Sequence, residues 1–382
     1  MANHIPSEEF RQRLKNVVEA MLRQKFDALV LYSQKRSHIT YLSGYYPNYH
    51  TNAALMLITA ERDPTLWIKF AFDLPRAKAT SWLEDIRTCA SDEVGDVGGM
   101  IGKCADDIRS LRLEGSRIGL VATDVGVDEL TFSFREQICR QLPKAQLIPA
   151  SDIVNELRLL KSQNEIALLR QAAQLAEVVA DSLRKSIRPG VKDRQATVTA
   201  EYLARLEGAD QCDVIISTDP AFHALPPMGL EFRAGSPVNC EITVRYGGYW
   251  IQICRVFCIG KPSPSQVQVF EVCRDAYQAA VRAARPGTSA DQVAEAAEGV
   301  IAAGGFKDCI PYGIGHGVGV DLPEPYSVDH ECRGRLAPGM VLILHPAIWA
   351  PKQGAAFLGG PIAVTDNGAL CLDNPASEMI LI

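Results

Sequence analysis

The stretch IPYGIGHGVGVDLPEP, Ile310 to Pro325, sets one imidazole, His316, among Gly313, Gly315, Gly317 and Gly319. Glycine tolerates backbone angles closed to other residues and lets a second chain segment or a ligand approach closely, so a histidine held this way is displayed rather than packed. A lone loop histidine is as often a residue that satisfies backbone carbonyls. His316 differs because it has counterparts elsewhere in the chain.

Outward from this stretch the chain repeats itself. A capping-box start, Ser162-Gln163-Asn164-Glu165, opens a helix that stops at Arg188-Pro189-Gly190, and a second helix follows from Asp193 to Glu207. The same order recurs with a helix from Ser265 to Ala284, a stop at Arg285-Pro286-Gly287 and a helix from Ala290 to Ala303. His223 and His316 follow their stops at similar distances, Ala234-Gly235 and Pro338-Gly339 each open an apolar strand, and at equal spacing past those glycines stand Glu241 and His345. Two copies of one unit facing each other across a pseudo-twofold axis bring equivalent residues to one cleft. His223, Glu241, His316 and His345 are therefore expected to be neighbours and to carry the catalysis.

The rest of the chain bounds what that cleft serves. At 382 residues two domains are expected, and the boundary is placed between an N-terminal domain, 1–156, and a catalytic domain, 157–382. Residues 1–156 alternate short apolar runs with helical patterns, which predicts an α/β domain with a mixed sheet. No phosphate-binding glycine loop follows any of its strands. The net charge of −6 and the lack of a basic stripe argue against nucleic acid, and no apolar run is long enough to span a membrane. A polar N-terminus without an apolar core makes the cytoplasm the expected location. The eleven cysteines are scattered and form no C-x-x-C pair, so they read as small buried hydrophobes rather than a disulfide framework.

With these residues in view, the chain resembles the pita-bread family of creatinase, prolidase, aminopeptidase P and methionine aminopeptidase. The resemblance rests on Lys161-Ser162-x-x-Glu165, Gly315-His316-Gly317-Val318-Gly319, Leu336-Ala337-Pro338-Gly339-Met340-Val341 and Arg255-Val256-Phe257. It implies a creatinase-like α/β N-terminal domain, an α+β pita-bread C-terminal domain with an internal pseudo-twofold repeat, and a homodimer. In that dimer a tongue around Tyr49, His50 and Asn52 would reach the neighbouring active site.

The resemblance also implies where this chain departs. The family's peptidases hold two divalent metals with two aspartates, a histidine and two glutamates, and the matching positions are Glu241, Gln252, His316, His345 and Gly359. A neutral amide and a glycine leave too few carboxylates to offset two dipositive ions, so no dinuclear site and no cofactor is expected, with a single zinc on Glu241, His316 and His345 as the alternative. The local sequences Cys240-Glu241-Ile242, Arg255-Val256-Phe257-Cys258-Ile259-Gly260-Lys261-Pro262 and Phe232-Arg233-Ala234-Gly235 look like a metal-free branch shared with creatinase and ectoine hydrolase.

The expectation that follows is a metal-independent hydrolase acting on a C–N bond of a small polar nitrogen compound. His223 would be its general acid/base, Glu241 its base or nucleophile, and His50, Asn52, Gln252, Arg255, Glu324 and Tyr49 its substrate contacts. The alternatives are a lyase or cyclase using the same pair, a metal-dependent Xaa-Pro peptidase, and a binding protein without activity.

Overall fold

The computed structural model describes residues 5–33, 38–46, 53–89, 97–122, 131–217, 225–374 and 378–382. The chain divides into two compact units, Met1–Arg158 and Leu159–Ile382. Among the described residues no helix is long and apolar enough to cross a membrane.

In the first unit the apolar runs become one six-stranded mixed sheet. Its strand order is Ile86–Thr88, Thr65–Ile68, Ala54–Thr59, Ala28–Ser33, Arg117–Val121, Gln146–Pro149. The Ala28–Ser33 strand is buried along its whole length, antiparallel to Ala54–Thr59 on one side and parallel to Arg117–Val121 on the other. Continuous apolar runs, rather than alternating ones, are what a strand covered on both faces requires. The helices Val97–Ser110 and Phe132–Gln141 supply part of that cover through Met100, Ile101, Cys104, Phe134 and Ile138.

The second unit follows the repeat. Ser162 accepts a hydrogen bond from the Glu165 backbone N–H at 3.1 Å, and the Glu165 carboxylate accepts one from the Ser162 N–H at 2.9 Å, which starts the Gln163–Ser186 helix. That helix and Asp193–Leu206 belong with a four-stranded sheet, ordered Ile380–Leu381, Tyr249–Cys258, Pro237–Tyr246, Gln211–Ser217. The helices Pro264–Ala283 and Ala290–Ala303 belong with a five-stranded sheet, ordered Glu324–Val328, Gly315–Gly317, Val341–Leu344, Gly360–Thr365, Gly368–Cys371. The fold class expected from the repeat is the one observed.

One reading changes. The glycine-rich stretch around His316 is not a loop: Gly315–Gly317 is a strand lying between Glu324–Val328 and Val341–Leu344. A Cβ on Gly315 would stand 2.2 Å from the Ile343 carbonyl oxygen, so the glycine is there to let two strands approach.

Candidate functional site

Two pieces of backbone geometry aim the site. Tyr246 and Tyr249 close a hairpin through Gly247 and Gly248, both at positive φ (57° and 87°), a turn that only glycine-like residues take easily. That turn sets the register of the long strand pair, so Glu241 faces Cys254 while Cys240 faces Arg255. Because side chains alternate, Glu241, Cys254 and Gln252 share one face of the sheet and Arg255 lies on the other. In the second sheet, His316 pairs with Ile343, and the His345 N–H donates to the Ile314 carbonyl at 2.8 Å. The two rings meet with centroids 5.1 Å apart.

The two sheets are stitched by a backbone bridge between Cys254 and Gly359, with N–H to O distances of 2.9 and 3.3 Å. Beside this seam lies a cleft of about 390 Å³ lined by Ile215, Glu241, Gln252, Tyr312, His316, Leu322, Pro323, His345 and Phe357. Its size is that of a pocket for a small ligand.

The Glu241 carboxyl has no hydrogen-bond or ion-pair partner among the described residues, and burial pushes it up to about 7. The His316 Nδ1 lies 2.9 Å from the Gly317 carbonyl oxygen. A carbonyl only accepts, so Nδ1 carries the proton and the neutral ring keeps Nε2 as its acceptor. Burial holds His316 below the usual imidazole range, against the opposing hydrogen bond to Gly317. His345 is edge-on to Tyr312 and Phe357, with centroids 5.7 and 5.5 Å away.

Of the expected site residues, Glu241, Gln252, His316 and His345 come together in the cleft. His223, Tyr49, His50 and Asn52 lie outside the described residues. Two expectations are corrected. Arg255 does not contact substrate: it is 2% exposed on the far face of the sheet. There its guanidinium donates to Glu177, Asp373 and the carbonyls of Cys254, Gly359 and Asn374. Glu324 does not face a ligand either: it is 1% exposed and holds Lys161 Nζ at 2.5 Å. Both charges are buried because each has a partner. The apolar wall of Ile215, Tyr312, Leu322, Pro323 and Phe357 was not anticipated, and apolar residues in strands and turns carry no pattern that would single them out.

Comparison with known proteins identifies the chain. Residues 167–366 match the model of metallopeptidase family M24, and residues 13–160 match the creatinase/prolidase N-terminal domain. The chain belongs to metallopeptidase family M24.

It is 25% identical over 376 residues to an Xaa-Pro dipeptidase of Pyrococcus horikoshii, covering 97% of this chain and 99% of the relative. It is 28% identical over 393 residues to an uncharacterized hydrolase/peptidase of Sinorhizobium fredii. Among solved structures, the prolidase from Pyrococcus horikoshii superposes with a TM-score of 0.84 at 24% identity over 97% of this chain and all of that one. An Xaa-Pro dipeptidase from Bacillus anthracis gives 0.85 at 22% identity over 98% of this chain and all of that one.

These M24 relatives overturn the expectation of a metal-independent enzyme of the creatinase and ectoine-hydrolase branch acting on non-peptide C–N bonds. Relatives that span the whole chain are named Xaa-Pro dipeptidases, and the family is one of metallopeptidases.

The family name implies a metal, and the residues of this chain do not fit a carboxylate-bridged pair of ions. Glu241 is one carboxylate, Gln252 is a neutral amide, and Gly359 has no side chain. No side chain can be added at Gly359 on this backbone, because a Cβ there would stand 2.0 Å from the Leu344 carbonyl oxygen and 2.7 Å from the His345 Cα. Among the described residues no group of three or more histidine, cysteine, aspartate or glutamate side chains is arranged to hold a metal ion. Gly359→Ala is accordingly expected to destabilise the protein by about 1 to 3 kcal/mol or more through overpacking of the seam. Urea unfolding checks this, and a variant as stable as the parent would show that the two sheets separate freely at that point.

Proposed function

We propose that this M24 protein is a peptidase of the Xaa-Pro type, hydrolysing the peptide bond that precedes a proline in a short peptide. The observation that carries the reading is the end-to-end likeness to Xaa-Pro dipeptidases, with the cleft formed where the two halves of the repeat meet. The same site supports proton traffic. A carboxyl near neutrality at Glu241 both takes a proton from water and returns one to the leaving proline nitrogen, the two transfers that peptide hydrolysis needs. His316, with Nε2 as its acceptor, and His345 orient the reacting groups from the opposite sheet, and Gln252 offers an amide to the substrate backbone. His223 remains a proposed fourth member on the strength of the repeat alone.

The test is hydrolysis of a panel of Xaa-Pro dipeptides and longer Xaa-Pro peptides by purified protein. It is run as isolated, after chelation, and with added manganese, cobalt or zinc, with Xaa-Ala peptides as controls. Release of Xaa selectively from proline substrates is the expected result. No release in any of the three conditions, or equal release from Xaa-Ala, would overturn the reading.

A further inference from the structure

We infer that Asn239 is a positioning residue that sets the selectivity for proline, by fixing Phe357 in the wall of the cleft. This deepens the peptidase reading and rests on it.

Phe357 stands on a hairpin, Ala347–Ala350 with Gly354–Phe357, that forms a two-stranded sheet of its own. Its place in the cleft therefore depends on what holds the hairpin's backbone from outside. Asn239, on the Pro237–Tyr246 strand, does so with both ends of its amide. The Nδ2 donates to the Ala355 carbonyl at 3.3 Å, and the Oδ1 accepts from the Phe357 N–H at 3.0 Å. The side chain thus stands in for the peptide group of a neighbouring strand. A second hold, the Cys273 Sγ at 3.3 Å from the Pro346 carbonyl and 3.6 Å from the Ala356 carbonyl, is weaker because a thiol is a poor donor. Asn239 is 2% exposed, so its removal leaves the Ala355 carbonyl and the Phe357 N–H unpaired away from water, and the hairpin relaxes by shifting toward other partners.

The wall moves with the hairpin. Phe357 is edge-on to His345 and Tyr312, with centroids 5.5 and 6.0 Å away, and with Tyr312, Leu322 and Pro323 it makes the apolar side of the cleft. That side suits a proline ring, whose affinity comes from many close apolar contacts and falls when a gap opens. Asn239 also lies two residues before Glu241 on the same face of its strand, so one strand both carries the acid and fixes the aromatic wall relative to it.

The experiment is a double-mutant cycle on the full-length protein, with Asn239→Leu, Phe357→Ala and both together, read as KM and kcat for Ala-Pro and Ala-Ala. Asn239→Leu is expected to raise KM for Ala-Pro about tenfold with kcat within about threefold, because a contact made equally before and during the reaction is lost. The preference for Ala-Pro over Ala-Ala falls by a similar factor. Phe357→Ala does the same, and adding Asn239→Leu to it changes neither quantity further. KM does not depend on the fraction of molecules that fold, so partial misfolding does not imitate the effect. Where Asn239→Leu is insoluble, Asn239→Asp keeps the shape but, once ionised, only accepts, and it shifts KM in the same direction. An unchanged KM with only kcat lowered, or effects of the two substitutions that multiply, would overturn the inference. If the parent cleaves no peptide, the peptidase reading falls, and hydrogen exchange at the Phe357 amide then decides the clamp. Exchange about tenfold or more faster in the Asn239 variant supports it, and an equal rate counts against it.

Discussion

Glu241→Gln is expected to lower peptide hydrolysis by about two to four orders of magnitude, the range that a positioned acid/base group contributes, while making the folded protein more stable above neutral pH. The two effects share one cause. Burial alone raises the Glu241 carboxyl from 4.5 to about 7. A carboxyl whose pKa is higher folded than unfolded favours the folded state while it is protonated. That contribution is complete below about 4.5 and is lost as pH rises to 7. Above 7 the ionised carboxylate opposes folding by up to about 3 kcal/mol at 1.36 kcal/mol per pKa unit, which water in the open cleft reduces to about 1 to 2 kcal/mol.

The glutamine variant has the shape of the acid without its titration. Urea midpoints measured on chelated protein at pH 8 and pH 4.5 should therefore show it more stable than the parent at the higher pH and equal to it at the lower. An unchanged turnover removes Glu241 from the reaction. Equal stability at both pH values means the carboxyl has a counter-charge beyond the described residues.

The second large effect belongs to Arg255. Arg255→Met is expected to cost about 3 to 5 kcal/mol of stability, because it leaves Asp373, whose side chain is fully buried, as an uncompensated charge. Burial pushes the Asp373 carboxyl up while Arg255 beside it pulls it back, so removing the arginine moves it further toward the neutral acid. The double variant Arg255→Met with Asp373→Asn should recover more than half of the loss, since the fully buried ion is then gone and the carboxylate left without its arginine, Glu177, is partly exposed to water. Arg255 also donates to the carbonyls of Cys254 and Gly359, the two residues that bridge the sheets. It therefore acts on the cleft by holding the seam beside it. Chemical unfolding of the single and double variants checks the account. A single variant as stable as the parent, or a double variant no better than the single, would show that the network is not what keeps these charges buried.

Much of this arrangement was legible in residue order. The Ser162 capping box, the paired Arg-Pro-Gly stops and the apolar runs each depend on neighbours within a few positions, and all became helices, stops and strands near where they were expected. Glu241 and His345 were paired by their common spacing past Gly235 and Gly339, and both line the cleft. The misplacement of Arg255 was avoidable. A two-residue Gly247-Gly248 turn fixes which residues of the strand pair face each other, and counting back from it puts Arg255 opposite Cys240 and off the face that bears Glu241. Glu324 was not readable in the same way. Its partner Lys161 stands 163 positions away, and whether a carboxylate faces solvent or a buried ammonium is decided by which segments the fold brings together.

The order of residues alone therefore determined the duplicated architecture, because periodicity, caps and turns act over a turn or two of chain. Its motifs, Gly315-His316-Gly317 among them, carried the resemblance to the family but not to the right branch of it. Tertiary structure alone decided the chemistry of the cleft. It moved Arg255 and Glu324 out of it, left Glu241 half-buried without a described counter-charge, and closed the Gly359 position against a side chain. The reason is that a charge is set by its surroundings in space. Those surroundings here are assembled from two sheets whose strands lie far apart in sequence and meet at one backbone bridge.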